Sequence, residues 1–219
     1  MEPQCAHCPV KPCRLPEEIR TPYPAYCPID NFPALMENLK EKYKESAIYN
    51  FYFSSAATEK ECYDLTAAQR GEIQPLRPRI REIVEFAKKI KAKKIGLAFC
   101  SGLADEGTRV NSIFEKHGLK VVSATCSCGA IDKEEMGIPP ELKIYGNSRY
   151  EPACNPLFQA ELLNRAGTSF NVLVGLCVGH DMLFTKHSEA PVTTLIVKDR
   201  LTGHNPVISL YTRYHKDLV

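Results

Sequence analysis

The stretch "KIGLAFCSGLADEGTRVNSIFEKHGLKVVSATCSCG", residues 94–129, decides the fold. Ile95–Phe99 is an apolar run of strand length, and it ends in Cys100 with Gly102 close behind. Val110, Ile113, Phe114 and His117 then recur at helical spacing, and Gly118 stands where a helix closes. Leu119–Ala124 is the next apolar run, and it too delivers a cysteine, Cys126, shortly before a glycine, Gly129. Strand, helix and strand in immediate succession predict two parallel strands joined by a right-handed crossover.

The same pattern continues outward. "CNPLFQAELLNRAG" (154–167) predicts a helix with Asn155 as N-cap, Pro156 at its first position and Gly167 just past its end. "NVLVGLCVGHD" (171–181) repeats the motif of an apolar run, here 172–176, that delivers a cysteine, Cys177. Residues 192–197 form another buried-strand run; "PVISLY" (206–211) reads as a further strand, and "IPPELKIYG" (138–146) as an extra short one. Upstream, Ile80, Ile83, Val84, Ala87 and Ile90 make a helical stripe, and "QPLRPR" (74–79) breaks the chain before it. Residues 33–45 read as a helix carrying Leu35, Met36, Leu39 and Tyr43 on one face, and 47–70 as helical with a weaker pattern. Residues 1–31 are proline-rich and contain four cysteines. The expected organisation is a cysteine module at 1–31, a helical connector at 32–78, and a Rossmann-like three-layer α/β domain with a mostly parallel sheet at 79–219.

The 219 residues can bury roughly 70% of their unfolded surface and need no staples to hold a core. A net charge of +2 creates no strong field, so neither nucleic acid nor a membrane surface is indicated as a partner. "KKIKAKK" (88–94) reads as the solvated end of a helix. The beginning "MEPQCAHC" has neither the basic start nor the apolar core of a secretory signal, and no apolar run approaches the roughly 20 residues of a bilayer span. These features predict a cytoplasmic protein, in which ten cysteines point to metal binding or catalysis rather than disulfides.

The cysteines fall into two groups. In "CAHCPVKPC…YCP", Cys5 and Cys8 have the two-residue gap that lets two thiolates bind one ion, and Cys13 and Cys27 complete four. Zinc is the expected ion, His7 could replace one thiolate, and an iron–sulfur centre is the competing reading. In the second group, Cys100, Cys126 and Cys177 follow strand carboxyl ends, and Cys154 precedes a helix that should begin on the same edge. In a parallel α/β sheet that edge is where ligands bind. The four are therefore expected in one crevice, with Cys128 as a possible fifth member and Cys62 a core residue. Strand ends span on the order of 10 Å, which favours a [4Fe–4S] cluster; convergent side chains could still serve zinc.

Together with "CAHCPVKPC…YCP", the segments "FCSGLADEG", "CNPLFQAELLN", "GLCVGHD" and "APVTTLIVKDRLTGHNP" resemble the prokaryotic family called domain of unknown function 1847. The resemblance covers nearly the whole chain. It implies metal binding through four amino-terminal cysteines that match Cys5, Cys8, Cys13 and Cys27, and it implies no reaction. "TCSCGAID" departs from the family pattern at Cys128.

For chemistry, His180 and Asp181 follow Cys177 directly, and Lys198, Asp199, Arg200 and His204 follow the next strand. His180 and Asp181 are the candidate catalytic pair, as metal ligand, acid–base group or outer donor; the plain alternative is that Asp181 caps a helix. The expected function is cluster-dependent redox or sulfur chemistry on a small substrate. Its rivals are a non-catalytic metal or redox sensor that docks a partner, and a metal-free thiol enzyme with Cys177 as nucleophile and His180 as base. "CSGLADEG" has the wrong spacing for a dinucleotide fingerprint.

Overall fold

The computed structural model describes residues 2–20 and 22–219. The chain divides into two compact units, residues 1–57 and 58–219. In the first unit, proline-rich 3₁₀ turns lead to α1 (Pro28–Asn31), α2 (Pro33–Lys42) and the start of α3 (Ser46–Lys60). Leu35, Met36, Leu39 and Tyr43, the stripe expected to pack, are exposed. Two aromatic pairs, Tyr43 with Tyr52 and Tyr49 with Phe53, hold their ring centroids 5.0 and 6.0 Å apart.

The helical stretch expected at 47–70 is interrupted, because Asp64 starts a new helix. Its carboxylate accepts from the Thr66 and Ala67 N–H groups at 2.8 and 3.2 Å and caps α4 (Leu65–Gln69). Cys62 is buried and donates its S–H to the Thr58 carbonyl at 3.0 Å, the satisfied core position expected of it. Beyond Pro78, α5 (Arg79–Lys89) buries Ile83, Val84 and Ala87.

The second unit is built on β1 (Ile95–Phe99), α6 (Ala104–Lys116), β2 (Val121–Thr125), α7 (Pro156–Ala166), β3 (Phe170–Val174), α8 (His180–His187) and β4 (Val192–Ile196). The four strands form one sheet in the order β2-β1-β3-β4, with every pair parallel. β1 and β3 are almost wholly buried apolar runs, as strands covered on both faces must be. Asn155 caps α7 by accepting from the Phe158 N–H at 3.0 Å, and Gly167 closes the helix at φ 62°. Gly96 has no substitute: a Cβ there would stand 1.8 Å from Asn171 Oδ1, inside the sheet.

The order of the strands has a consequence for ligand binding. The chain leaves β1 toward β2, then crosses back over β1 to reach β3. Right-handed crossovers place α6 on one face and α7 and α8 on the other; α7 packs on α8, and helices flank both faces of the sheet. The reversal puts the topological switch point between β1 and β3, at whose carboxyl ends folds of this kind form their ligand crevice.

Two expected strands are absent. Residues 206–211 contain α9 (Ile208–Tyr211), whose N–H groups bond to carbonyls three or four residues back, because Pro206 cannot donate to a sheet ladder. Within 138–146, Pro139 and Pro140 open a 3₁₀ turn, Pro140–Leu142, for the same reason. Among the described residues no helix is long and apolar enough to cross a membrane.

Candidate functional site

Cys100 leaves β1 at the switch point: its N–H bonds to the Val174 carbonyl of β3 at 3.0 Å, and its own carbonyl accepts from Leu103 N–H at 2.8 Å. Cys126 leaves β2, with its N–H on the Phe99 carbonyl at 2.8 Å; its carbonyl accepts from Asn155 N–H at 2.7 Å. That last bond brings the start of α7, and with it Cys154, against the end of β2. The Cys126 and Cys154 sulfurs are 3.8 Å apart and hydrogen-bonded. Ser101 donates its N–H to the Cys126 sulfur at 3.3 Å, and its hydroxyl lies 3.5 Å from the same atom. Cys100 and Cys126 are buried, Cys154 and Cys177 half-buried.

The titration behaviour follows from these contacts. Cys100 is pushed up to about 12, first by its hydrogen bond to Cys126 and then by burial, against the opposing pull of Lys198 and the Gly102 amide. Cys154 is held below the ordinary thiol range by its hydrogen bond with Cys126, although Cys177 and Cys100 stand near enough to oppose its ionisation. Cys128, half-buried beside Cys126, is raised by burial and then by that neighbour. The structure thus gathers Cys100, Cys126, Cys154 and Cys177 at one edge of the sheet, Cys126 and Cys154 linked through sulfur, and leaves Cys128 at its side.

Two cations roof the crevice. Lys198 Nζ donates to the Cys100 sulfur at 2.5 Å, and Arg200 donates to the Cys177 sulfur at 3.2 Å. Both come from the loop after β4, so Lys198 reaches across the end of β3 to the end of β1. Asp199 shapes that loop. Its Oδ1 accepts from the Leu201 and Thr202 N–H groups at 3.0 and 3.1 Å, and its own N–H donates to His204 Nδ1 at 3.1 Å. His204 takes the left-handed φ of 69°.

The candidate catalytic pair has a mainly structural geometry. Asp181 Oδ1 accepts from Gly179 and Met182 N–H at 3.1 and 2.8 Å, closing the turn into α8. The His180 N–H donates to the Cys177 carbonyl at 2.9 Å. Its Nδ1 is buried without a partner, and no hydrogen bond joins the imidazole to the Cys177 sulfur among the described residues.

Three supports were not singled out in the sequence. Gln159, fully buried on α7, donates Nε2 to the Ala124 and Phe99 carbonyls at 2.8 and 3.2 Å and ties the ends of β1 and β2 beneath the thiols. A polar residue one turn before Leu163 on a buried helix face was the available signal. Ser101 escaped notice because it acts largely through its backbone. Lys143 anchors the 127–153 insertion: its side chain is 1% exposed and bonds to Asp132 at 2.7 Å, Glu134 at 2.6 Å and the Arg149 carbonyl at 3.0 Å. Lys133 pairs with buried Glu151, whose Oε2 accepts from Ile144 N–H at 2.9 Å. This network closes the loop that joins Cys126 to Cys154.

In the first unit, Cys5, Cys8, Cys13 and Cys27 all line one cavity of about 180 Å³, together with Lys11 and Tyr26. Lys11, at φ 48°, turns its N–H onto the Cys8 sulfur at 3.2 Å, and the Tyr26 hydroxyl donates to the His7 carbonyl at 3.1 Å. His7 does not line the cavity. Among the described residues, no group of three or more His, Cys, Asp or Glu side chains is arranged to hold a metal ion.

Comparison with known proteins adds kinship but no reaction. The Uncharacterized protein MJ0455 of Methanocaldococcus jannaschii is 46% identical over 137 residues, which cover 63% of this chain and 68% of that protein. The profile of the family described as "Protein of unknown function (DUF1847)" matches residues 27–195, a range that takes in Cys27 and every crevice cysteine but not Cys5, Cys8, Cys13, Lys198 or Arg200. Since that match spans well over half of the sequence, the chain belongs to the DUF1847 family.

Proposed function

We propose that the switch-point crevice is a metal–thiolate centre at which a small molecule undergoes redox or sulfur chemistry, and that the amino-terminal cysteines hold a structural zinc ion. The observation that carries the first part is the convergence of Cys100, Cys126, Cys154 and Cys177 from four separate elements, with the Cys126 and Cys154 sulfurs hydrogen-bonded at 3.8 Å. Packing alone gives no reason for thiols to seek one another; a small hydrophobe is satisfied by any apolar neighbour. A hydrogen-bonded pair of thiols is compatible with a site in which protons hold the place of a shared cation, because metal binding to such sulfurs releases those protons.

The donor set can be checked against the ion. Zinc–sulfur bonds of about 2.3 Å in a tetrahedron separate the sulfurs by about 3.8 Å, and the Cys126–Cys154 separation is 3.8 Å. A single tetrahedral ion therefore matches this pair as it stands. A [4Fe–4S] cluster, the occupant expected from the strand spacing, requires the four sulfurs to open outward. In either case Cys100, Cys126, Cys154 and Cys177 would hold the centre. Lys198, Arg200 and the Ser101 N–H would donate to its sulfurs, as outer-shell donors do at metal sites. Iron would supply electron transfer there; zinc would supply polarisation of a bound substrate. His180, one turn from Cys177, would border the site with its unpartnered Nδ1 available for a proton or a ligand bond.

At the amino terminus, the cavity lined by four thiols and the Lys11 N–H turned onto Cys8 support zinc. Anaerobic purification with counts of iron, acid-labile sulfide and zinc tests both parts. Two centres per chain are expected, with sulfide present only if the crevice centre is a cluster. A chain free of transition metal after anaerobic preparation and reconstitution would sink the reading. The rival thiol enzyme draws support from Arg200 on the sulfur of Cys177; it predicts full activity without metal.

A further inference from the structure

We infer that Lys198 and Arg200 form an anion-recognition element over the crevice, so that the small molecule handled there carries a carboxylate or oxyanion group directed toward the sulfurs. The inference rests on the crevice being the functional site and is independent of which metal it holds.

Four observations carry it. Both cations are turned inward onto sulfur, and neither has a carboxylate partner among the described residues. The acid between them, Asp199, spends its Oδ1 on the backbone of its own loop. A thiol is a weak acceptor, whereas an ammonium carries three donors and a guanidinium five, so most of this donor capacity is left for another ligand. Finally, the loop is built to hold them: the Asp199 bonds and the left-handed His204 fix the backbone on both sides of Arg200. A planar guanidinium beside an ammonium is a common way to receive a carboxylate or an oxyanion. Arg200 is exposed and Lys198 half-buried, which orders the approach: an anion meets Arg200 at the rim and Lys198 deeper, next to Cys100.

The test needs no knowledge of the natural substrate. The reduced, metal-free full chain is treated with iodoacetate, an anion, or iodoacetamide, its neutral counterpart, with glutathione in the same tube as reference. Alkylation at Cys177 and Cys100 is quantified by peptide mass spectrometry. The thiolate attacks the CH2 carbon of either reagent and displaces iodide, so the ratio of the two rates cancels the thiolate fraction and reports attraction of the anion alone. Wild type should favour iodoacetate, relative to glutathione, by roughly tenfold, and this preference should shrink in high salt. It should fall stepwise in Arg200→Gln, Lys198→Gln and the double variant, and persist in Arg200→Lys. A ratio equal to that of glutathione, or one unchanged in the variants, overturns the inference. Equal slowing of both reagents also overturns it, because the cations then act only on the thiolates. Metal counts on separate wild-type samples test the metal reading, so the two can fail independently.

Discussion

Gly175→Ala places one methyl group between the two loops that meet at the switch point. Gly175 follows β3, two residues before Cys177, and adopts φ +66°. An alanine there costs about 1–2 kcal/mol in backbone strain. Its Cβ would stand 2.5 Å from Leu103 Cδ2 and 3.1 Å from Cδ1. Leu103 is 2% exposed, so its side chain can turn aside only by displacing its packed core neighbours. Overpacking of this kind costs about 1–3 kcal/mol. Together the terms reach about 2–5 kcal/mol, a large part of a typical domain stability. The sequence contains no tryptophan, so unfolding in urea is followed by circular dichroism. With a slope of about 2 kcal/mol per molar, the midpoint should fall by at least 1 M. Because the methyl pushes Cys177 away from Cys100, crevice metal should be lost before the fold is. Leu103→Ala in the same chain should recover the clash but not the strain, so the two substitutions should be less than additive. An unchanged midpoint with unchanged metal content would refute the argument that this close approach sets the crevice.

Lys143→Met should free the 127–153 insertion, seen as faster limited proteolysis within it while the β-sheet core persists. Its partners also set a pH window. Asp132 is lowered from 3.8 to about 2, chiefly by Lys143, and Glu151 is lowered by Lys133. Both folded values lie below the unfolded ones, so their contribution is full above about pH 4–5 and fades as pH falls toward 2; the protection of the insertion amides, corrected for intrinsic exchange at each pH, should fall across that range and not in the alkaline one. In metal-free protein a mild thiol oxidant should link Cys126 to Cys154, since sulfurs 3.8 Å apart need only rotate to about 2.05 Å, and bound metal should prevent it. Cys8→Ser or Cys27→Ser should each remove one zinc per chain and open residues 1–31 to protease, while the second unit stays folded.

The α/β architecture was legible because it rests on periodicity. Ile95–Phe99 was bounded to the residue, and Asn155, Pro156 and Gly167 marked α7 at both ends because each fills a position that few other residues can. The gathering of cysteines at one edge was legible for the same reason: a parallel sheet sends all its carboxyl ends one way. What stayed hidden depends on tertiary partners. Lys198 and Arg200 were noted only as members of a loop, and nothing local says that Lys198 spans β3 to meet Cys100. Lys143 lay in a segment read as a strand, yet its burial is decided by Asp132 and Glu134. Residues 206–211 have the apolar composition of a strand, but Pro206 lacks the N–H that a sheet ladder needs, and the segment turns helical instead. The contact of Cys126 and Cys154 was likewise hidden, because it depends on the Asn155 N–H reaching the Cys126 carbonyl and not on strand spacing.

The central claim is that the crevice thiols share one metal centre, and its most direct test is a metal count. Wild type and the Cys126→Ser/Cys154→Ser double variant are purified anaerobically with Cys5, Cys8, Cys13 and Cys27 intact, and iron and zinc per chain are measured in both. The account predicts that the variant loses the crevice metal entirely, keeps the amino-terminal one, and retains a wild-type circular dichroism spectrum. Equal metal content in folded wild type and variant would contradict it.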